Sequence, residues 1–123
     1  MKLTNLQIYN YASNLLEEFS NSAELKLPVK VNFYLQKNLL TLKNLATEIE
    51  ESRLNIVQEY GQINEDGTSY FIPSENIEKA QQELNDLFAL DQEVQIYMIK
   101  LDSFNDDILL SMSQMESLMF MIE

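Results

Sequence analysis

Apolar side chains recur every three or four positions through most of this chain, which is the spacing of a helix with one buried face. Near the start, the spacing predicts an amphipathic helix over about 4–20. Its apolar positions are Ile8, Tyr9, Ala12, Leu15, Leu16 and Phe19. Thr4 and Gln7 match a capping box, in which the two side chains satisfy free N–H groups of the first turn. We therefore expect this helix to begin beside Thr4.

A longer helix is predicted over about 28–60, because Pro28 suits a first helical turn. Its apolar seam consists of Val31, Leu35, Leu39, Leu42, Leu45, Ile49, Ile56 and Tyr60, and Asn38 and Ser52 fall on the same seam. At 1.5 Å per residue this helix is a rod of roughly 45–50 Å. Such a rod is expected to pair with another helix or with another chain.

A β-hairpin is predicted over about 61–72, where Asp66 and Gly67 supply the positive φ angles of a tight turn. A third helix follows over about 74–90. Its apolar stripe is Ile77, Ala80, Leu84, Leu87 and Phe88. Because this helix is short and follows a tight turn, we expect it to fold back antiparallel against the long helix.

The last third of the chain changes character. Val94, Ile96 and Met98 alternate with other residues, which predicts a strand over about 93–101, and a second strand is expected over about 108–111. Ser113 and Glu116 match another capping box, so a final helix is predicted over about 113–122. The predicted fold is one mostly α (α+β) domain over residues 1–123. It comprises an antiparallel long-helix hairpin with the β-hairpin at its tip and a small C-terminal β–α unit.

The composition excludes several kinds of catalytic and metal site, because the chain has no histidine and no cysteine. A thiolate nucleophile, an imidazole base and a His/Cys metal cage are therefore excluded. The remaining candidates for catalysis are groups of neighbouring carboxylates. These groups are Glu48 with Glu50 and Glu51, Glu65 with Asp66, and Asp106 with Asp107. Solvated surface acids explain these groups more simply than a carboxylate enzyme or a metal site does. We therefore expect a non-enzymatic protein with no catalytic, cofactor-binding or metal-binding residue.

The formal charge of −12 is unevenly distributed. Residues 1–47 hold five basic and three acidic groups, a net of +2, whereas residues 48–123 hold three basic and seventeen acidic groups, a net of −14. DNA phosphates would repel the acidic part, so direct nucleic-acid binding is not expected.

No apolar run is long enough for a membrane span, and the first residues lack the apolar core of an export signal, so neither membrane insertion nor export is expected.

The acidic surface supports two interpretations. Carboxylates arrayed on a rod can imitate DNA phosphates and occupy a nucleic-acid channel. The candidate residues for such a surface are Glu48, Glu51, Glu75 and Glu78. The simpler alternative is that the charge only keeps the protein soluble.

Five of the six methionines lie between residues 98 and 121. Methionine-rich faces make adaptable binding surfaces. The simpler prediction is that Met112, Met115, Met119 and Met121 fill a small core around the last helix. If that face is exposed instead, Met115 and Met119 become the leading partner-binding residues.

The order of segments resembles a family of small tailed-bacteriophage proteins of unknown function, of helix–β-hairpin–helix type. The segments that carry the resemblance are Met1–Leu6, Leu27–Phe33, Ile49–Arg53 and Glu59–Gly61, followed by the Asp-Gly turn, a returning helix and an Ile/Met-rich end. The resemblance implies a phage origin and a location in the cytoplasm of the bacterial host or in the virion. It supplies no catalytic residue. The helix–hairpin–helix part is also similar in outline to a prefoldin subunit, as architecture only.

The function expected from these observations is binding to another protein, as an assembly or chaperone-like factor or as a virion component. The alternative is an acidic inhibitor of a host defence or nucleic-acid enzyme. The partner would be a phage structural protein in the first case and a host protein in the second. An exposed seam on a long rod also favours a homodimer over a monomer.

Overall fold

The computed structural model describes residues 1–20, 26–105 and 107–123, which are mostly helical with two small antiparallel sheets. The predicted α+β class is thereby confirmed. In chain order the elements are β1 (Lys2–Thr4), α1 (Asn5–Phe19), α2 (Val29–Tyr60), β2 (Gln62–Ile63), β3 (Tyr70–Phe71), α3 (Ser74–Ala89), β4 (Asp91–Glu93) and α4 (Met112–Leu118). No helix among the described residues combines the length and the apolar character needed to cross a bilayer.

Helix α1 lies at the centre of the packing, in contact with α2, α3 and α4. Its predicted capping box is confirmed. The Thr4 hydroxyl accepts from the Gln7 N–H at 3.1 Å, and the Gln7 side-chain oxygen accepts from the Thr4 N–H at 2.9 Å. The buried face of the helix consists of Asn5, Ile8, Ala12, Leu15 and Phe19.

The first residues form a strand that the sequence pattern did not predict. Strand β1 pairs antiparallel with β4, so that Lys2 lies opposite Glu93 and Thr4 opposite Asp91. The buried side chain of Asn5 strengthens this junction, because its amide donates to the Leu87 carbonyl at 2.9 Å and its oxygen accepts from Gln92 at 2.8 Å. The start of α1 is thus tied to the end of α3.

Helix α2 buries one face and contacts α3 near its own end. The buried side chains of α2 are Val31, Leu35, Asn38, Leu42 and Ile49. The Tyr60 hydroxyl donates to Glu83 at 2.9 Å, and the Asn76 amide donates to the Tyr60 carbonyl at 3.1 Å. Between the two helices, β2 pairs antiparallel with β3. The turn of this hairpin contains Gly67 at φ 72°, in the left-handed region that glycine enters without a steric penalty.

The strands predicted over 93–101 and 108–111 are corrected by the structure. Strand β4 covers Asp91–Glu93, residues 94–98 and 107–111 are irregular, and Ile99 forms only an isolated parallel bridge with Ile122. The Asn38 side chain takes the place of a neighbouring strand. Its oxygen accepts from the Tyr97 N–H at 2.8 Å, and its amide donates to the Tyr97 carbonyl at 2.9 Å.

The predicted last helix is also corrected at both ends. Helix α4 begins at Met112 because Ser111 and Gln114 form the capping box, two residues before the predicted pair of Ser113 and Glu116. It ends at Leu118, and a 3₁₀ turn follows over Met119–Met121. Ser111 with Gln114 and Ser113 with Glu116 both match the sequence pattern of a capping box. The earlier start accompanies the burial of Leu118 and Met121, which are 1% and 0% exposed.

Candidate functional site

An exposed row of methionines lies on one side of α4 and the turn after it. Met112, Met115 and Met119 are 79%, 38% and 65% exposed, and their spacing of three and four residues places them on one helical face. Met121 alone of the four turns into the core. The prediction that all four methionines fill a core is therefore wrong for three of them. These three residues are called the methionine face below.

A shallow apolar groove adjoins the methionine face. It measures about 270 Å³ and is lined by Leu101, Phe104, Ile108, Leu110 and Met115. Leu101 is 58% exposed, and Leu109, between the lining residues Ile108 and Leu110 in the sequence, is 86% exposed. Exposed apolar patches of this kind mark interaction sites, and flexible thioethers adapt their shape to an incoming side chain.

Three acidic residues lie next to groove or methionine residues in the sequence, and we call them the acidic rim. Asp102, Asp107 and Glu116 are exposed. The ion pairs among the described residues are those of Met1 with Glu93, Lys2 with Asp91 and Arg53 with Glu50, so these three acids remain free. Exposed acids beside an apolar surface favour a partner that carries cations next to its apolar residues, although the exposed Lys100 offsets one of these charges.

Contacts on the inner side hold α4 in place. The Phe120 ring stacks on Tyr11 with centroids 4.1 Å apart and planes 5° apart, which attaches the turn to α1. The Leu118 side chain of α4 is buried in the core, and within the helix the Ser117 hydroxyl donates to the Gln114 carbonyl at 2.7 Å. The methionine face is therefore presented from a fixed helix rather than from a loop.

The four glutamates predicted as a partner surface form two separate pairs. Glu48 and Glu51 are exposed neighbours on α2, and Glu75 and Glu78 are exposed neighbours at the start of α3. Helix α3 meets α2 at Tyr60, roughly 18 Å along the axis from Glu48 at 1.5 Å per residue. Glu75 and Glu78 thus lie on a different helix from Glu48 and Glu51. The structure places Met115 and Met119, by contrast, on one surface.

Glu50, Tyr60 and Asp66 have pKa values that are shifted by hydrogen bonds. Hydrogen bonds from Arg53 at 2.9 and 2.6 Å lower the pKa of Glu50 against the opposing effect of burial, and Tyr9 adds a third bond at 3.3 Å. The hydrogen bond to Glu83 raises the pKa of Tyr60. The backbone N–H of Thr68 lowers the pKa of Asp66. General-acid catalysis near neutral pH requires a carboxyl pKa that is raised, and both of these carboxyl shifts are downward.

Two further clefts do not bring a set of reactive side chains together. A cleft of about 320 Å³ between α1 and α2 is lined mainly by apolar atoms near Tyr9 and Ala46, and one of about 490 Å³ lies beside Tyr60, Glu78 and Glu83. Among the described residues, no three acidic side chains approach closely enough to hold a metal ion, and Asp106 lies outside them.

Comparisons with protein families, curated proteins and solved structures each found no match to this chain.

Sequence reasoning named Met115 and Met119 but did not include Met112 or the exposed leucines of the groove. The spacing of Met112, Met115 and Met119 was a usable indication, because residues three, four and seven apart share a helical face. The exposure of Leu101 and Leu109 had no comparable indication. Both lie outside a long periodic element, so only the folded chain reveals their surroundings.

Proposed function

We propose that this protein is a non-enzymatic protein-binding protein that holds an apolar segment of its partner on the methionine face. The observation that carries the proposal is three exposed methionines on one side of α4 and the turn after it, beside an apolar groove. Amphipathic helices bind in this way by laying apolar residues at three- and four-residue spacing into an apolar surface. Methionine suits the role because it accepts side chains of several shapes.

The acidic rim specifies the partner further. A helix whose apolar stripe is bordered by lysine or arginine would place its cations near Asp102, Asp107 and Glu116. Such complementarity contributes specificity and speeds association more than it adds affinity. The expected partner segment is therefore an amphipathic, basic helix.

The biological setting is proposed from the resemblance to tailed-phage proteins. In that setting the protein acts in the cytoplasm of the bacterial host, or in the virion, as an assembly or chaperone-like factor or as a virion component. The proposed architecture treats α2 and α3 as an antiparallel arm with the β2–β3 hairpin at its tip. The bonds of Tyr60 to Glu83 and Asn76 support that arrangement. The partner is then a phage structural protein.

The test is affinity capture of the tagged protein from infected and uninfected host lysates, followed by titration of the purified partner. Met112→Glu/Met119→Glu is the test variant, because both side chains are exposed and their replacement leaves the core intact. We expect the variant to lose the partner, with Kd raised at least tenfold, or about 1.4 kcal/mol. Undiminished binding by this variant would refute the proposal.

An acidic inhibitor of a host defence or nucleic-acid enzyme is the second candidate function. It is favoured by the exposure of Glu48, Glu51, Glu75 and Glu78, none of which appears in the ion pairs of the described residues. Because the two glutamate pairs lie on different helices, Glu48→Lys/Glu51→Lys and Glu75→Lys/Glu78→Lys are tested separately. Capture of a host enzyme that survives the methionine substitutions but is lost with either lysine pair would favour the inhibitor.

A further inference from the structure

The solvent face of α2 carries a second row of apolar side chains. Phe33, Leu40 and Leu54 are 54%, 56% and 42% exposed, and Val29 is 87% exposed. Thr47 completes the seven-residue repeat from position 33 to position 54, and its hydroxyl donates to the Lys43 carbonyl at 2.9 Å within the helix. The outer row, as we call it, consists of Val29, Phe33, Leu40, Thr47 and Leu54. Two such rows, one from each of two paired helices, can interleave to give the three- and four-residue spacing of a coiled coil.

The outer row lies opposite the buried face of the same helix. The buried residues Leu35, Leu42 and Ile49 also repeat every seven positions, two residues after the members of the outer row. At 3.6 residues per turn, two residues correspond to about 200° around the helix. Helix α2 therefore has one seam that packs on its own chain and a second that faces solvent.

The charge of α2 indicates what covers this second seam. Within Val29–Tyr60 four basic and four acidic residues balance to zero, although the whole chain carries −12. Helices α1 and α3 carry −2 and −3 by the same count. A second copy of this acidic protein would therefore meet less repulsion along α2 than along the other long helices.

The charges of α2 are also divided along its length. Lys30, Lys37 and Lys43 lie in the first half of the helix, whereas its glutamates begin at Glu48. An antiparallel pair of identical helices places the basic half of each beside the acidic half of the other. A parallel pair would place like charges together, which is unfavourable.

We propose that two copies of this chain pair antiparallel through the outer rows of their α2 helices. Aligning Val29 of each copy with Leu54 of the other places the two-fold axis between Leu40 and Lys43. Lys37 then comes within about 3 Å, measured along the axis, of Glu48 of the second copy. The Lys37 ammonium lies 5.5 Å from the Phe33 ring centroid and thus borders the outer row. This dimer does not rest on the proposed function, because the two surfaces share no residue.

The association is tested by sedimentation equilibrium across a range of concentrations. We expect a wild-type dimer and at least a tenfold higher dimer Kd for Leu40→Glu. Leu109→Glu is the matched control, since Leu109 is 86% exposed outside α2 and its replacement should leave the dimer unchanged. Circular dichroism confirms that each variant is folded. A wild-type protein that remains monomeric at every concentration overturns the proposal.

Charge exchange tests the register of the pair. Lys37→Glu and Glu48→Lys should each weaken the dimer, because each places like charges together. An equimolar mixture of the two variants should form a mixed dimer, since every facing pair there is again opposite in sign. The double variant Lys37→Glu/Glu48→Lys should also recover. If neither the mixture nor the double variant recovers, Lys37 and Glu48 do not meet and the proposed pairing is wrong.

Cysteine crosslinking tests the direction of the helices, and the absence of native cysteine makes it specific. In the antiparallel pair, Val29→Cys mixed with Leu54→Cys should form a disulfide. Neither variant alone should do so, because its two thiols lie roughly 37 Å apart along the axis. Disulfides that join two copies of the same variant, with none joining Val29→Cys to Leu54→Cys in the mixture, would show a parallel pair and overturn the proposal.

Discussion

Asn38 is fully buried on α2, and its carboxamide binds both polar groups of the Tyr97 backbone. Its nitrogen also lies 3.4 Å from the Met121 sulfur. The seam of α2 showed from the sequence that a polar side chain would face the core at this position. It could not show the partner, because Tyr97 is far along the chain and carries no sequence feature that marks its backbone as the acceptor.

Asn38→Ala should destabilise the protein by about 2–3 kcal/mol, because the partly buried Tyr97 N–H and carbonyl lose their hydrogen-bond partner. Urea denaturation followed by circular dichroism measures this loss. Asn10→Ala on the exposed side of α1 is the control and should change stability by less than about 0.5 kcal/mol. Equal effects of the two substitutions would show that the contact between Asn38 and Tyr97 is not important for stability.

At the scale of elements, the sequence predicted features that form between neighbouring residues. It did not predict features that depend on contacts between residues distant in the chain. The Thr4–Gln7 capping box lies within one turn, so the sequence contains everything that forms it. The alternation of Val94, Ile96 and Met98 suggested a strand, but a strand also needs a neighbour to bond. The neighbour at Tyr97 is a side chain of α2, which no local pattern reveals.

The candidate site shows the same limit in α4. The sequence identified a methionine-rich helix but could not tell which side of it meets the core, because apolar residues occur on both sides. Packing decides the matter: Leu118 and Met121 fill the core, and Met112, Met115 and Met119 are left outside. Two alternative capping serines made the start of the helix ambiguous as well.

Single methionine substitutions test this division. Met121→Ala should lower the free energy of unfolding by about 2–5 kcal/mol, because it leaves a cavity where the side chain is now 0% exposed. Met119→Ala removes the same atoms from a side chain that is 65% exposed and should change stability by less than about 0.5 kcal/mol. Urea denaturation measures both variants. A larger loss for Met119→Ala than for Met121→Ala would mean that α4 presents the opposite face to the core.

At the scale of the whole molecule, both ends of the chain pack against the segment that follows α3. The backbone of Met1 accepts from the Val94 N–H at 2.8 Å, and the backbone N–H of Glu123 donates to the Ile99 carbonyl at 2.8 Å. These bonds bring the start of α1 and the end of the chain to one short stretch of irregular backbone. Sequence periodicity carries no information about such closure, because it describes one element at a time.

The charge of the whole molecule opposes its compact state. The net charge is −12, and the three ion pairs among the described residues are exposed or partly exposed to water, so each contributes only about 0–1 kcal/mol. Repulsion among the remaining acids acts over the entire surface. Salt weakens it, since the Debye length falls from about 30 Å at 0.01 M to about 3 Å at 1 M.

The thermal midpoint of unfolding should therefore rise with NaCl, by several degrees where the gain in stability reaches about 1 kcal/mol. The measurement is made in the Leu40→Glu background, so that association through α2 does not contribute. Adding Glu75→Lys/Glu78→Lys makes the chain less negative by four charges, which should reduce the salt dependence because less repulsion remains to be screened. A midpoint that falls with salt would show that attractive surface pairs outweigh the repulsion. A rise of equal size in both variants would instead assign the effect of salt to apolar burial, which excluded ions strengthen without regard to net charge.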